Sequence, residues 1–150
     1  MLREVGVRPS VWDDSSHEGS RADTWGMPKK LHHFLVFVPE GPRDATAVPV
    51  DLQDQWVVRL VHDLTRLFGG ATSYGRGVGA WRTDDRADAP IHWDRITVVE
   101  CWIDAKMPDL RQRWAAVGEE LVEMCAALNQ QVVGCIVDGE WWFYSKKGRR

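Results

Sequence analysis

The chain has 150 residues, 44% of them apolar and 27% charged, the length and balance of one ordinary globular domain able to build a core without disulfide or metal staples. Its 19 Lys and Arg against 22 Asp and Glu leave a net charge of -3, which excludes a general attraction to phosphate backbones or anionic membranes and disfavours nucleic acid as a partner. Cys101, Cys125 and Cys135 form no C-x-x-C pair and sit in apolar patterns, so they read as buried thiols in a reducing compartment.

No apolar run approaches the ~20 residues needed to cross a bilayer, and the N-terminus lacks the apolar core of a signal peptide. A cytoplasmic protein without membrane association is the expectation. The nine tryptophans are more than one small core encloses readily, which points some of them to a site or an interface.

Residues 1–30 mix charge, serine and glycine with no helical or strand period, and read as a flexible leader whose Trp12 and Trp25 could dock onto the domain or a partner. A single α+β domain is expected over residues 31–145, followed by a basic tail, KKGRR, over residues 146–150. The first strand is Leu31 to Val38, apolar on both faces apart from His32 and His33, as suits the middle of a sheet. Pro39, Gly41, Pro42 and Pro49 then hold the chain in a loop until Asp51, a candidate helix N-cap. Trp56, Val57, Leu60, Val61, Leu64, Leu67 and Phe68 recur at three- and four-residue steps, predicting an amphipathic helix that Gly69 ends as a left-handed cap.

Gly69, Gly70, Gly75, Gly77 and Gly79 follow in quick succession. A phosphate loop would come after a strand and open a helix, whereas these glycines follow a helix and lead into strand-like residues, so a structural connection is the better account. A second strand is expected around Val78 to Thr83, then a polar loop, then the clearest strand of the chain over Arg95 to Ile103. A second helix follows Pro108 and Asp109 and runs to about Asn129, with Leu110, Trp114, Val117, Leu121, Met124, Cys125 and Leu128 on its inner side and Gly118 available for close approach. Val132 to Val137 and Glu140 to Ser145, joined by Asp138 and Gly139, form a hairpin signature.

The order strand, helix, strand, strand, helix, strand is the split βαβ pattern of ferredoxin-like folds, here with an extra C-terminal hairpin strand. Two helices on one side leave the other side of the sheet open. Alternation along the Arg95 to Ile103 strand puts Glu100 and Trp102 on that open side, because a buried unpaired carboxylate is costly. Glu100 is therefore the candidate catalytic residue, a carboxylate that aromatic neighbours would bias toward a raised pKa and acid or base work. Its bland alternative is an ion pair with Arg82 or Arg95. Trp81, Arg82 and Trp102 are the candidate walls of a ligand site, and Tyr74 and Arg76 on the glycine stretch could hold an anionic group.

No cofactor is implied, and no metal: His32 and His33 point to opposite faces, and His92 and Asp94 lack further ligands at useful spacing. Nor does Ser73 or any cysteine stand in a nucleophile motif. The expected partner is thus a small-molecule ligand on the open face. The alternative is a protein that covers the same face, most simply a second copy in a homodimer.

The helix end followed by Gly70-Ala71-Thr72, and then Gly79-Ala80-Trp81-Arg82 leading into an apolar strand, resembles small bacterial proteins of a domain-of-unknown-function type with similar Gly-x-Thr and Gly-x-Trp-Arg patterns. The resemblance spans roughly residues 60 to 140. It implies a ferredoxin-like α+β fold and brings no activity or site residue with it.

Overall fold

The computed structural model describes residues 29–40, 50–82 and 86–146. Nearly all of the expected leader, much of the proline loop, the start of the polar loop and most of the basic tail lie outside these residues. The elements are β1 (Leu31–Pro39), α1 (Val50–Phe68), β2 (Thr72–Ser73), β3 (Gly77–Arg82), β4 (Ile91–Asp104), α2 (Leu110–Ala127), β5 (Val132–Val137) and β6 (Glu140–Ser145). They make an α+β unit with a six-stranded antiparallel sheet in the order β2-β4-β1-β5-β6, β3 pairing with β4 beside β2.

The two strands that read as apolar on both faces, β1 and β4, are neighbours inside the sheet, with Phe34 opposite Cys101 and Val36 opposite Val99. One face of each strand meets the helices. Phe34, Val36 and Val38 of β1, Val99, Cys101 and Ile103 of β4, and Val133, Cys135 and Val137 of β5 join Trp56, Leu60, Leu64, Val117, Leu121, Met124 and Leu128 in one core. Each such side chain contributes roughly 1.5–3 kcal/mol by leaving water, against ordering costs of comparable total size.

Local chemistry accounts for the element ends. Gly69 takes φ 96 and its N–H donates to the Thr65 carbonyl at 2.8 Å, closing α1 as expected of a glycine cap. Asp51 lies inside the first turn of α1, not at its cap; there its charge still complements the helix dipole. Asp138 and Gly139 both take positive φ, 51 and 85, the geometry that matches a two-residue turn to the twist of the paired strands. Gly118 admits Tyr144, whose Cε1 would stand 3.2 Å from a Cβ added there.

β4 is longer than its expected span, beginning at Ile91. Its residues up to Ile96 pair with β3, while β1 pairs only from Ile96 onward. The two-residue β2 is an addition that the glycine density concealed. By pairing Thr72 with Glu100 it brings the glycine turn against the far end of β4.

Candidate functional site

The side of the sheet away from the helices carries His33, Leu35 and Phe37 from β1 and Ile96, Val98, Glu100 and Trp102 from β4. Glu100 stands at its polar centre. Tyr74 reaches it because the Tyr74 N–H donates to the Val98 carbonyl at 2.8 Å, continuing the β2 pairing by one residue. The Tyr74 hydroxyl donates to Glu100 Oε2. On the opposite side, His33 Nε2 lies 2.6 Å from Glu100 Oε1, and an ionised carboxylate has only acceptors, so the imidazole donates.

Those two donors set the electrostatics. The Tyr74 hydroxyl, then His33, hold the Glu100 carboxyl below the usual carboxylate range, outweighing the opposite pull of burial. The same bond raises the Tyr74 phenol. A raised Glu100 pKa, expected from aromatic neighbours, is therefore corrected: the aromatic that matters most donates a hydrogen bond to the charged form. Glu100 is a carboxylate held ionised.

His33 is itself positioned from two directions. Its ring stacks on Trp102 with centroids 4.0 Å apart and planes 13° from parallel. Its backbone N–H donates to Asp138 Oδ1 at 2.7 Å, while Asp138 Oδ2 holds His32 Nδ1 at 2.7 Å on the buried side. The hairpin aspartate thus fixes the start of β1.

Beside this group opens a cleft of about 460 Å³ lined by Phe68, Gly69, Gly70, Ala71, Thr72, Glu100, Cys101 and Trp102. A Cβ added at Gly69 or Gly70 would meet nothing within 4 Å. The Cys101 thiol donates to the Gly70 carbonyl at 3.1 Å and ties the turn to β4. Burial pushes this thiol up to about 12, so it stays protonated.

Of the residues expected at a site, Glu100, Trp102 and Tyr74 come together. Arg76, Arg82 and Trp81 do not join them. Arg76 is turned to α1, where its Nη2 meets Asp54 Oδ1 at 2.8 Å. Arg82 donates from Nη1 to the Arg86 carbonyl at 2.9 Å, and its pairing with Ile91 puts it on the other face of the hairpin. Trp81 stacks loosely on His92 at 6.2 Å. It pairs with a residue eight positions before Glu100, roughly 25 Å away at about 3.3 Å per residue. The Arg95 alternative also fails as a partner for Glu100, since Arg95 lies 3.8 Å from Glu40. His33 is the site residue that sequence reading missed; once β1 and β4 are paired, it sits opposite Trp102 and diagonal to Glu100.

Among the described residues no group of three or more His, Cys, Asp or Glu could hold a metal ion. No described helix is long and apolar enough to cross a membrane.

No family model matches the chain, and no curated protein does. Solved structures do resemble it in fold. A phage SAM lyase in complex with S-methyl-5'-thioadenosine superposes with a TM-score of 0.53 at 9% identity, over 87% of this chain and 100% of that one. A phage SAM lyase in the apo state gives 0.51 at 12% identity, over 79% and 92%.

Proposed function

We propose that this chain binds a small molecule in the cleft between the glycine turn and the open sheet face, with Glu100, Tyr74, Trp102 and His33 around it. One observation carries this: an ionised carboxylate, fixed by two side-chain donors, borders a cleft of about 460 Å³ beside an exposed tryptophan. Glu100 is available there as an acceptor for a ligand proton or hydrogen bond, which gives an enzymatic role its starting point. The similar solved structures suggest the first compounds to try, SAM (S-adenosylmethionine) and S-methyl-5'-thioadenosine. A ferredoxin-like assignment is part of the same proposal, supported by a strand order that puts β4 and β1 between β2 and β5, with β6 as the added strand.

The test is calorimetric titration of both compounds, paired with tryptophan fluorescence, on the wild type, Trp102→Phe and Glu100→Gln. Binding that weakens in both variants supports the proposal. Binding unchanged in both places the site elsewhere.

A second reading, a homodimer or another protein partner covering the sheet, is favoured by a separate observation. Phe37, Trp141 and Phe143 stack in a row at 5.2 and 5.9 Å on the open face, with Trp141 56% and Phe143 45% exposed. Light scattering during size exclusion decides it: a strict monomer at high concentration removes the homodimer. A reducing, cytoplasmic setting is proposed as well, on the support of three buried free thiols.

A further inference from the structure

We propose that the cleft beside Glu100 is a seat for an organic cation, a sulfonium or ammonium group carried on a flat or apolar body. This rests on the ligand-binding proposal above and adds to it the charge of the ligand. The argument begins from a missing partner. Every arginine expected near Glu100 is held elsewhere: Arg76 by Asp54, Arg82 by the Arg86 carbonyl, Arg95 by Glu40. Lys29, just before β1, pairs with Asp104 at 3.9 Å. Among the described residues no lysine or arginine forms an ion pair with Glu100.

Glu100 is only 17% exposed, and burial by itself pulls its carboxyl toward the neutral form. The Tyr74 hydroxyl and the His33 imidazole, both donating to it, outweigh that pull. The Tyr74 phenol stabilises the charged form without cancelling its charge, and among the described residues no lysine or arginine reaches it, so a carboxylate charge borders the cleft. Among the described residues, Tyr74 from the β2 side and His33 from β1 bond to Glu100, the Cys101 thiol lines the same cleft and is raised in part by Glu100, and Asp138 acts one step behind through the His33 backbone. The remaining walls suit the same ligand. Trp102, 52% exposed, offers an aromatic surface toward which cations are drawn, Gly69 and Gly70 leave room beside it, and Tyr74, 49% exposed, stands next to the cleft on Glu100. A negative ligand would meet the carboxylate with no lysine or arginine of the described residues to offset it.

The experiment compares SAM, a sulfonium, with S-adenosylhomocysteine, its uncharged thioether counterpart, by calorimetry at pH 8, above the ordinary titration range of histidine side chains. In parallel, N-methylpyridinium and neutral pyridine are titrated against the Trp102 indole N–H signal, assigned with Trp102→Phe. In the wild type the sulfonium binds about tenfold or more tighter than the thioether, as about 1.4 kcal/mol of cation recognition gives. The pyridinium moves the Trp102 signal and pyridine does not. Added salt weakens only the cations, a readout that needs no variant, and Glu100→Gln erases both preferences while Tyr74→Phe lessens them.

Equal binding of sulfonium and thioether, unchanged in Glu100→Gln and indifferent to salt, overturns the cation seat and leaves a ligand site standing. Failure of both nucleosides with a Glu100-dependent pyridinium shift keeps the seat and removes the adenosyl ligand. Silence toward every cation overturns the inference.

Discussion

Glu120 is the side chain whose replacement tests the energetics of the helix layer most sharply. It lies on α2 facing α1, 8% exposed, with Oε1 at 3.4 Å from Arg59 Nε. Arg59 is already committed: its two terminal nitrogens grip Glu123 at 2.9 and 2.7 Å. Burial, and then the nearby Asp63 carboxylate, push the Glu120 carboxyl up to about 7. The sign follows from linkage. A folded pKa raised above the unfolded 4.5 gives stability that is fully present below pH 4.5 and is lost as the pH rises through about 7. The gap between about 7 and 4.5, at about 1.4 kcal/mol per tenfold in proton affinity, amounts to about 3 kcal/mol.

Glu120→Gln keeps the shape and removes the titration. In urea melts at pH 4 the variant and the wild type should have nearly equal stability. At pH 8.5 the variant should be more stable by up to about 3 kcal/mol, or roughly 6–12 °C in Tm for a chain of this size. The loss of attraction to Arg59 brings the gain below that ceiling. A variant less stable than the wild type at pH 8.5 would refute the reasoning, because it would mean that the ionised carboxylate is a net favourable partner of Arg59.

Three further outcomes are expected. Leu121→Ala, at a fully buried position of α2, should lower stability by about 2–5 kcal/mol in the same melts, and a loss under 1 kcal/mol would contradict the core described here. Gly118→Val should lower stability by about 1–3 kcal/mol, because the branched side chain has to displace the Tyr144 ring, with Tm unchanged as the contrary result. Cys101 and Cys135, both buried with thiols pushed up to about 12, should resist a thiol reagent at pH 8 until denaturant is added; prompt modification of the native protein would show the sheet opening.

Periodicity carried most of the fold because the core obeys simple alternation. Val99, Cys101 and Ile103 point to the helices and Glu100 and Trp102 away, as a half-buried strand requires. The Asp138-Gly139 turn was equally legible, since few other dipeptides tolerate two positive φ angles. The short β2 was not legible. Two residues set among glycines carry no period, and they are in strand only because Glu100 and Val99 lie opposite them. Gln53 escaped for a similar reason: it is fully buried where the pattern wants an apolar residue, and its Nε2 donates to the Val38 carbonyl at 3.0 Å while its Oε1 accepts no hydrogen bond there.

The site was legible in part, and the missing part is instructive. Alternation alone assigns Glu100 and Trp102 to one face, but the state of the carboxylate depends on what lies across the strand boundary. His33 is 67 positions away from Glu100 in the chain, and only the β1–β4 register makes them diagonal neighbours. Tyr74 reaches Glu100 only because β2 exists. Without those two contacts an aromatic setting implies a raised pKa and a proton-transfer role; with them it implies a lowered one and a fixed charge. Arg95 and Arg82, the expected ion-pair partners, are held by Glu40 and a backbone carbonyl, and Arg76, expected to hold an anionic group, is held by Asp54. Glu100 is kept charged by hydrogen bonds from Tyr74 and His33, with no lysine or arginine of the described residues paired to it. It is the state of Glu100, more than its presence on the open face, that supports the proposal of a bound ligand.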